Sequence, residues 1–291
     1  MYTTLISVAQ LQTLLTSRQP CMVFDCSFDL MESAAGERQY QQEHIAGAVR
    51  ADLDRHLSAP KGANDAASGG RHPLPSREAF AAWLNSVSFD STMQAVVYDR
   101  QGCNYCGRLW WMLKWAGHES VAVLDGGLQA WQAAGGATRS GADSGSTAAH
   151  TGSARFSLSA TKAVLATTQT VVGKLGRPGQ NLIDARSAPR YRGEVEPLDP
   201  VAGHMPGALN RAFGLNFDAS GKFKPAAQLK AEFEALLAGR DPATVVHHCG
   251  SGVSAVPNII AMEVAGLGRA ALYAGSWSEW CRDPARPVAQ G

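Results

Sequence analysis

The sequence predicts an α/β protein of two tandem domains, each a mainly parallel sheet with helices on both faces. Three features carry this expectation: short apolar stretches alternating with helical segments of about ten residues or more, an internal repeat, and a run of small polar residues near mid-chain. At 291 residues the chain exceeds one typical domain and suits two, each large enough to bury its own core.

In chain order, Ser7 is placed to cap a helix reaching Leu15, and CMVFD at 21–25 reads as a buried strand. Residues 37–44 are polar and helical, leading into HIAGAVRADL. Residues 58–75 are loop by composition, and Ser76 is the expected cap of the helix REAFAAWLNS. A strand over 94–99, a Leu- and Trp-rich helix over 104–116, a strand over 121–124 and a helix over 127–134 follow. The stretch GGATRSGADSGSTAAHTGSA has linker composition. It divides the chain into a first domain over 1–137, a linker over 138–154 and a second domain over 155–291.

The second half repeats the first. VVYDRQGCNYCGRLWWMLKWAG, starting at 96, aligns without a gap with VVHHCGSGVSAVPNIIAMEVAG, starting at 245, and LDGGLQAW at 124 aligns with YAGSWSEW at 273, both at an offset of 149. VFDCS at 23 matches LIDAR at 182 and HIAGAV at 44 matches HMPGAL at 204, offsets of 159 and 160, which places the first copy's extra residues in the 58–75 loop. At the offset of 149, Cys249 lies opposite Arg100, so the thiol belongs to one copy only. Trp110, Trp111, Trp277 and Trp280 read as core positions.

Composition narrows the function. Lys plus Arg number 26 and Asp plus Glu 25, so no global field favours nucleic acid or an anionic membrane. The N-terminal MYTTLISVAQLQTLL lacks the basic and apolar regions of an export signal, and no run of about 18 apolar residues occurs. The six cysteines, spread over a chain this long, do not form a disulfide framework. The expectation is a cytoplasmic protein acting on small molecules.

The chemistry is expected at Cys249. An apolar strand over 244–247 runs into CGSGVSA, in which Gly250 and Gly252 permit positive φ and let the loop curl with its N–H groups inward. Ser254 is placed to cap the helix that follows, Pro257 is tolerable in its first turn, and apolar residues over 259–264 have helical spacing. A cysteine so placed faces amide donors and the positive end of a helix dipole, which favour thiolate and pull its pKa below about 8.5. His247 and His248 continue the strand, one on each face, as packed side chains.

HIAGAV, HMPGAL, LIDARSAPRYRGE, CGSGVSA and YAGSWSEW together resemble the two-domain rhodanese sulfurtransferases over nearly the whole chain, with a loop most like that of the 3-mercaptopyruvate sulfurtransferases. The resemblance implies two tandem rhodanese-like domains, the first non-catalytic and the second catalytic. It implies a persulfide on Cys249, an amide cradle from Gly250, Ser251, Gly252, Val253 and Ser254, and Arg190 as the guanidinium fork for the donor's anionic group. Ser251, His72 and Asp54 match a proton-relay set, and Arg186 matches an arginine that follows the strand. Position 199 departs from the pattern: the mercaptopyruvate enzymes carry a second donor-binding arginine there, and this chain has Asp199, with Arg192 as a nearby substitute.

The implied reaction is ping-pong sulfur transfer from 3-mercaptopyruvate, or alternatively thiosulfate, to a thiol, cyanide or a thioredoxin-like protein, with no metal or organic cofactor. Three other readings compete. A cysteine phosphatase needs an arginine where this chain has Ala255. The Cys103 and Cys106 pair has the setting of a redox dithiol. A non-enzymatic sulfur carrier would share the cysteine loop.

Overall fold

The computed structural model describes residues 1–141 and 155–291. Most of the expected linker therefore lies outside the described residues. Two compact units make up the chain. The first comprises the described residues of Met1–Ala59, Pro75–Lys162 and Ala219–Lys222, and the second comprises Pro60–Leu74, Ala163–Asp218 and Phe223–Gly291. The loop read from composition as the first copy's surplus thus folds mainly with the second unit.

The first unit runs β1 (Leu5–Ile6), α1 (Val8–Thr16), β2 (Cys21–Asp25), α2 (Ala35–Gln42), β3 (His44–Ile45), β4 (Val49–Arg50), α3 (Arg77–Ser86), β5 (Gln94–Tyr98), α4 (Cys106–Trp115), β6 (Val121–Leu124), α5 (Gly127–Ala133) and β7 (Thr138–Arg139). Ser7 and Gln10 form a reciprocal capping box at α1, and the Ser76 hydroxyl accepts from the Ala79 N–H at α3. Helix α2 ends before His44, because residues 44–45 pair antiparallel with Thr138–Arg139. That pairing draws the first residues of the expected linker into a strand. The main sheet has the order β1-β6-β5-β2-β4, with every pair parallel. Its central strand β5 is buried throughout, which is why QAVVY reads as an unbroken run rather than an alternation.

The second unit contains α6 (Thr168–Gly173), β8 (Asn181–Asp184), α7 (Ala188–Arg192), β9 (Leu209–Asn210), α8 (Ala226–Leu237), β10 (Val245–His248), α9 (Val256–Val264), β11 (Ala271–Leu272) and α10 (Ser276–Trp280). Its parallel sheet has the order β11-β10-β8-β9. All four tryptophans singled out in the sequence are fully buried. Trp277 and Trp280 also satisfy their indole N–H groups on the carbonyls of Val201 and Pro287. Among the described residues, no helix is long and apolar enough to cross a membrane.

The two copies keep the alignment's offset of 149 from the ends of α4 and α9 (Trp115 and Val264) to the starts of α5 and α10 (Gly127 and Ser276), but not at the strand before the loop. There the Tyr98 carbonyl accepts the Cys26 N–H as the His248 carbonyl accepts the Ala185 N–H, an offset of 150, so the first copy's loop is one residue longer. The counterpart of Cys249 is therefore Asp99 and not Arg100. Arg100 instead turns back into the first unit, where its guanidinium meets Asp25, Ser27 and the carbonyls of Gln39 and Glu43.

Candidate active site

Asp99 shows what this strand–loop–helix geometry holds. Its carboxylate, almost fully buried, accepts the N–H groups of Gln101 and Cys103 on one oxygen (both 3.0 Å) and of Tyr105 and Cys106 on the other (2.8 and 2.9 Å). Burial pushes its pKa up while these four donors pull the other way. In the first unit, then, the loop amides converge on an anion carried by the residue that ends the strand.

In the second unit the same place belongs to Cys249, which is 2% exposed. The carbonyl oxygens of Cys249 and Gly250 accept the N–H groups of Trp277 and Ser278 at the start of α10 (3.0 and 2.8 Å). The Cys249 N–H donates to the Ser276 hydroxyl, which in turn donates to the Tyr273 carbonyl. With its carbonyls tied back in this way, the loop leaves amide donors for its concave side. Among the described residues, the N–H groups of Gly250, Ser251 and Val253 meet no protein acceptor.

The two glycines serve different ends, contrary to the expectation of positive φ at both. Gly252 has φ +74°, and a Cβ there would run into the backbone of Ala274. Gly250 lies outside the left-handed region. Its missing side chain instead makes room for two arginines: a Cβ would lie 2.9 Å from Arg71 Nη2 and 3.7 Å from both terminal nitrogens of Arg190. Ser254 does not cap the helix. The residue before α9 is Ala255, in helical conformation and with no side-chain hydrogen bond, and Pro257 sits in the first turn as expected.

His72 and Ser251 meet directly, with 2.8 Å between Nδ1 and Oγ, and both are nearly buried. The segment carrying His72 is stitched onto α10. The Gly69 N–H donates to Glu279 and the Arg71 N–H to Ser278, and at Gly70, with φ +90°, a Cβ would lie 2.6 Å from the Gly275 carbonyl oxygen. Asp54 belongs to the other unit; it is exposed, and its N–H donates to Asp52.

The arginines divide by partner. Arg186, 4% exposed, is spent internally on Asp184, Glu196 and the Gly203 carbonyl, so it organises the loop rather than offering a free fork. Arg190 grips Glu196 through Nε and Nη2 (3.2 and 2.6 Å). Arg192 pairs with Glu194 at an exposed position. Sequence reasoning missed Arg71, although it stands beside His72 in RHPLP, because nothing in a loop's composition shows which sheet it covers.

Cys103 and Cys106 are buried, and burial pushes both thiols up, the reverse of an activated dithiol. His247 and His248 are fully buried, as expected for packed strand residues. Burial lowers both imidazoles, that of His247 to about 3. An unfolded imidazole titrates near 6.5, so between about pH 3 and 6.5 the unfolded chain binds a proton that the folded chain refuses. Stability should therefore fall as the pH drops through that window, by at most about 1.4 kcal/mol per pH unit for this histidine. Urea midpoints measured across it should slope downward towards acid, and His247→Gln should flatten the slope by up to one proton.

Two parallel sheets of one design, one of which closes a glycine loop around a buried cysteine, define a duplicated α/β protein with a single cysteine site. The Rhodanese-like domain matches residues 7–134 and 167–283, so the chain belongs to the rhodanese family and carries its domain twice, as a two-domain sulfurtransferase. A Pseudomonas aeruginosa protein named probable 3-mercaptopyruvate sulfurtransferase is 46% identical over 278 residues, 94% of each chain. A Mycobacterium tuberculosis protein provisionally named a thiosulfate sulfurtransferase is 38% identical over 297 residues, 99% of this chain and 97% of that one. Among solved structures, the 3-mercaptopyruvate sulfurtransferase from Leishmania major aligns with a TM-score of 0.78 at 28% identity, covering 96% of this chain and 74% of its own.

Proposed function

We propose that the chain moves sulfane sulfur from 3-mercaptopyruvate, in preference to thiosulfate, to a thiol or cyanide through a persulfide on Cys249. The Cys249 thiolate attacks the donor sulfur. An S–S bond forms as the donor's C–S bond breaks, and the electron pair leaves as pyruvate enolate, which gains a proton at carbon. With thiosulfate the pair leaves on sulfite, and no proton is needed at carbon. The acceptor then attacks the outer sulfur, and the S–S pair returns to Cys249 as thiolate. The N–H groups along Gly250, Ser251, Gly252, Val253 and Ser254 stabilise the outer sulfur, as the equivalent amides of the first unit hold the Asp99 carboxylate. Arg190 binds the donor's anionic group, with Arg186 holding the loop beneath it.

The observation that carries the donor preference is the 2.8 Å contact between His72 Nδ1 and Ser251 Oγ, a proton-handling pair whose serine is two residues after Cys249. Asp54 is the proposed third member of that relay, on the resemblance alone. Gly250 and Ser251 add no charge to the loop, which supports a monoanionic donor over a dianion. Six unpaired thiols support a reducing cytoplasm as the setting and thioredoxin-like proteins as acceptors.

The test is steady-state transfer from each donor to cyanide, with mass spectrometry of the donor-treated protein for one added sulfur on the Cys249 peptide. Ser251→Ala should lower kcat with mercaptopyruvate by about 10- to 100-fold and leave thiosulfate turnover nearly unchanged. An equal loss with both donors would remove the relay from the reading. A wild-type preference for thiosulfate would reverse the donor assignment.

A further inference from the structure

We infer that Glu279 is a positioning residue for sulfur transfer: its carboxylate clamps the strap over 69–72 to α10 and so holds His72 at Ser251. This rests on the sulfurtransferase reading and its proton relay, and adds the residue that keeps the relay assembled. Both carboxylate oxygens are taken by partners outside the cysteine loop. Oε2 accepts the Gly69 N–H at 3.0 Å, and Oε1 accepts the Thr168 hydroxyl at 2.6 Å. Thr168 Oγ1 also lies 2.9 Å from the Tyr273 hydroxyl, and since its own proton goes to Glu279, Tyr273 is the donor there. One acid thus ties together the strap, the first residue of α6 and the residue after β11.

The chain is packed around that carboxylate. A Cβ on Gly275 would run into Glu279 Oε2, and one on Gly69 would lie 2.8 Å from Glu279 Cδ, so glycine on both sides lets the strap and the turn before α10 close on the acid. The Arg286 guanidinium donates to the Glu279 carbonyl at 2.7 Å and fixes the part of α10 that bears it.

The strap has little freedom left. At its base the Ala67 N–H donates to the Leu74 carbonyl (2.8 Å) and the Leu74 N–H to Ser68 Oγ (2.9 Å), which closes the segment over 67–74 on itself. Its crest meets α10 at two points, Gly69 on Glu279 and Arg71 on Ser278. Ser278 serves both sides: its hydroxyl takes the Arg71 N–H at 2.9 Å while its own N–H donates to the Gly250 carbonyl at 2.8 Å. Helix α10 is therefore a common mount for the cysteine loop and the strap, and the contact between His72 and Ser251 depends on both being fastened to it. Of the strap's two fastenings, the one to a carboxylate is charge-assisted and the stronger.

The experiment measures kcat with 3-mercaptopyruvate and thiosulfate for the wild type, Glu279→Ala, His72→Ala and the double variant. Glu279→Ala should lower kcat with mercaptopyruvate by about 10-fold or more and kcat with thiosulfate by less than about threefold, since thiosulfate needs no proton at carbon. In the His72→Ala background the same substitution should cost less than about twofold, because it acts through a side chain already removed. A residue that merely stabilised the fold would lower turnover of both donors alike, and its loss would multiply with that of His72. Either of those results, or a Glu279→Ala enzyme as active as the wild type, would overturn the assignment and leave the sulfurtransferase reading standing. A His72→Ala enzyme with wild-type mercaptopyruvate turnover would overturn the relay and the clamp together. A wild type that transfers sulfur from neither donor and gains no sulfur on Cys249 would overturn the whole reading. Should Glu279→Ala fail to fold, Gly69→Ala decides by the same comparison: its Cβ displaces the Glu279 carboxylate from the strap side, and the loss should be at least about threefold with mercaptopyruvate and absent without His72.

Discussion

Cys249→Ser should abolish sulfur transfer from both donors, lowering kcat/KM by at least about 10³-fold, with the fold intact. The oxygen fits the space of the sulfur it replaces, and the strand, the loop and α10 make no demand on the Cys249 side chain: their bonds run through its N–H and carbonyl. A serine hydroxyl, however, neither ionises near neutrality nor carries a persulfide. Donor-treated mutant protein should therefore gain no sulfur, while the wild type gains one atom on the peptide containing residue 249. Activity that survives in the mutant would show that the nucleophile is elsewhere, and the other buried cysteines would have to be tested in turn.

Gly252→Ala is expected to give the second largest loss, for a reason of backbone geometry. The residue holds φ +74°, which costs any L side chain about 1 kcal/mol, and its Cβ would also meet the Ala274 backbone, which cannot swing aside. Relief requires the loop to move away from the Tyr273–Ser276 turn and thereby to misaim the amides around Cys249. We expect about 10²-fold lower kcat/KM and about 2–4 kcal/mol lower stability. Gly207→Ala is the control. It has φ +77° with nothing within 4 Å of its would-be Cβ, so it should show the strain cost of about 1 kcal/mol and nearly full activity. If both variants behave alike, close approach to Ala274 is not what shapes the loop.

The acid sensitivity expected from His247 and the donor-dependent effect of Ser251→Ala probe different parts of the same unit. One reports the packing of β10 beneath the loop. The other reports proton traffic above it.

The local elements were legible because local chemistry specifies them. Residues 21–25 and 121–124 form the strands expected of them, and Ser7 and Ser76 cap the helices that they precede. Short-range signals failed where a distant partner outweighed them. His44 left its helix for a strand because Arg139 offers backbone pairing. Ser254 gave way to Ala255 at the start of α9, since the loop before that helix is held from the α10 side, by the N–H groups of Trp277 and Ser278. The duplication and most of its register were plain from the motifs, but the register of the strand before the loop was not. A gapless match conceals a one-residue difference in loop length, whereas the parallel strand pairing commits Tyr98 to the place of His248 and so makes Asp99 the partner of Cys249.

By itself the sequence determined the class of fold, the duplication, the single cysteine and its glycine loop, because periodicity, glycine and capping chemistry act over a few residues. Only the tertiary structure decided that the strap over 69–72 lies on the cysteine loop, that Gly250 makes room for two guanidiniums, and that Asp199 holds an arginine where another arginine was expected. Those pairings join residues from sixty to more than two hundred positions apart. They are fixed by which backbone donors and charges remain to be satisfied once the sheet has formed, and no local pattern records that.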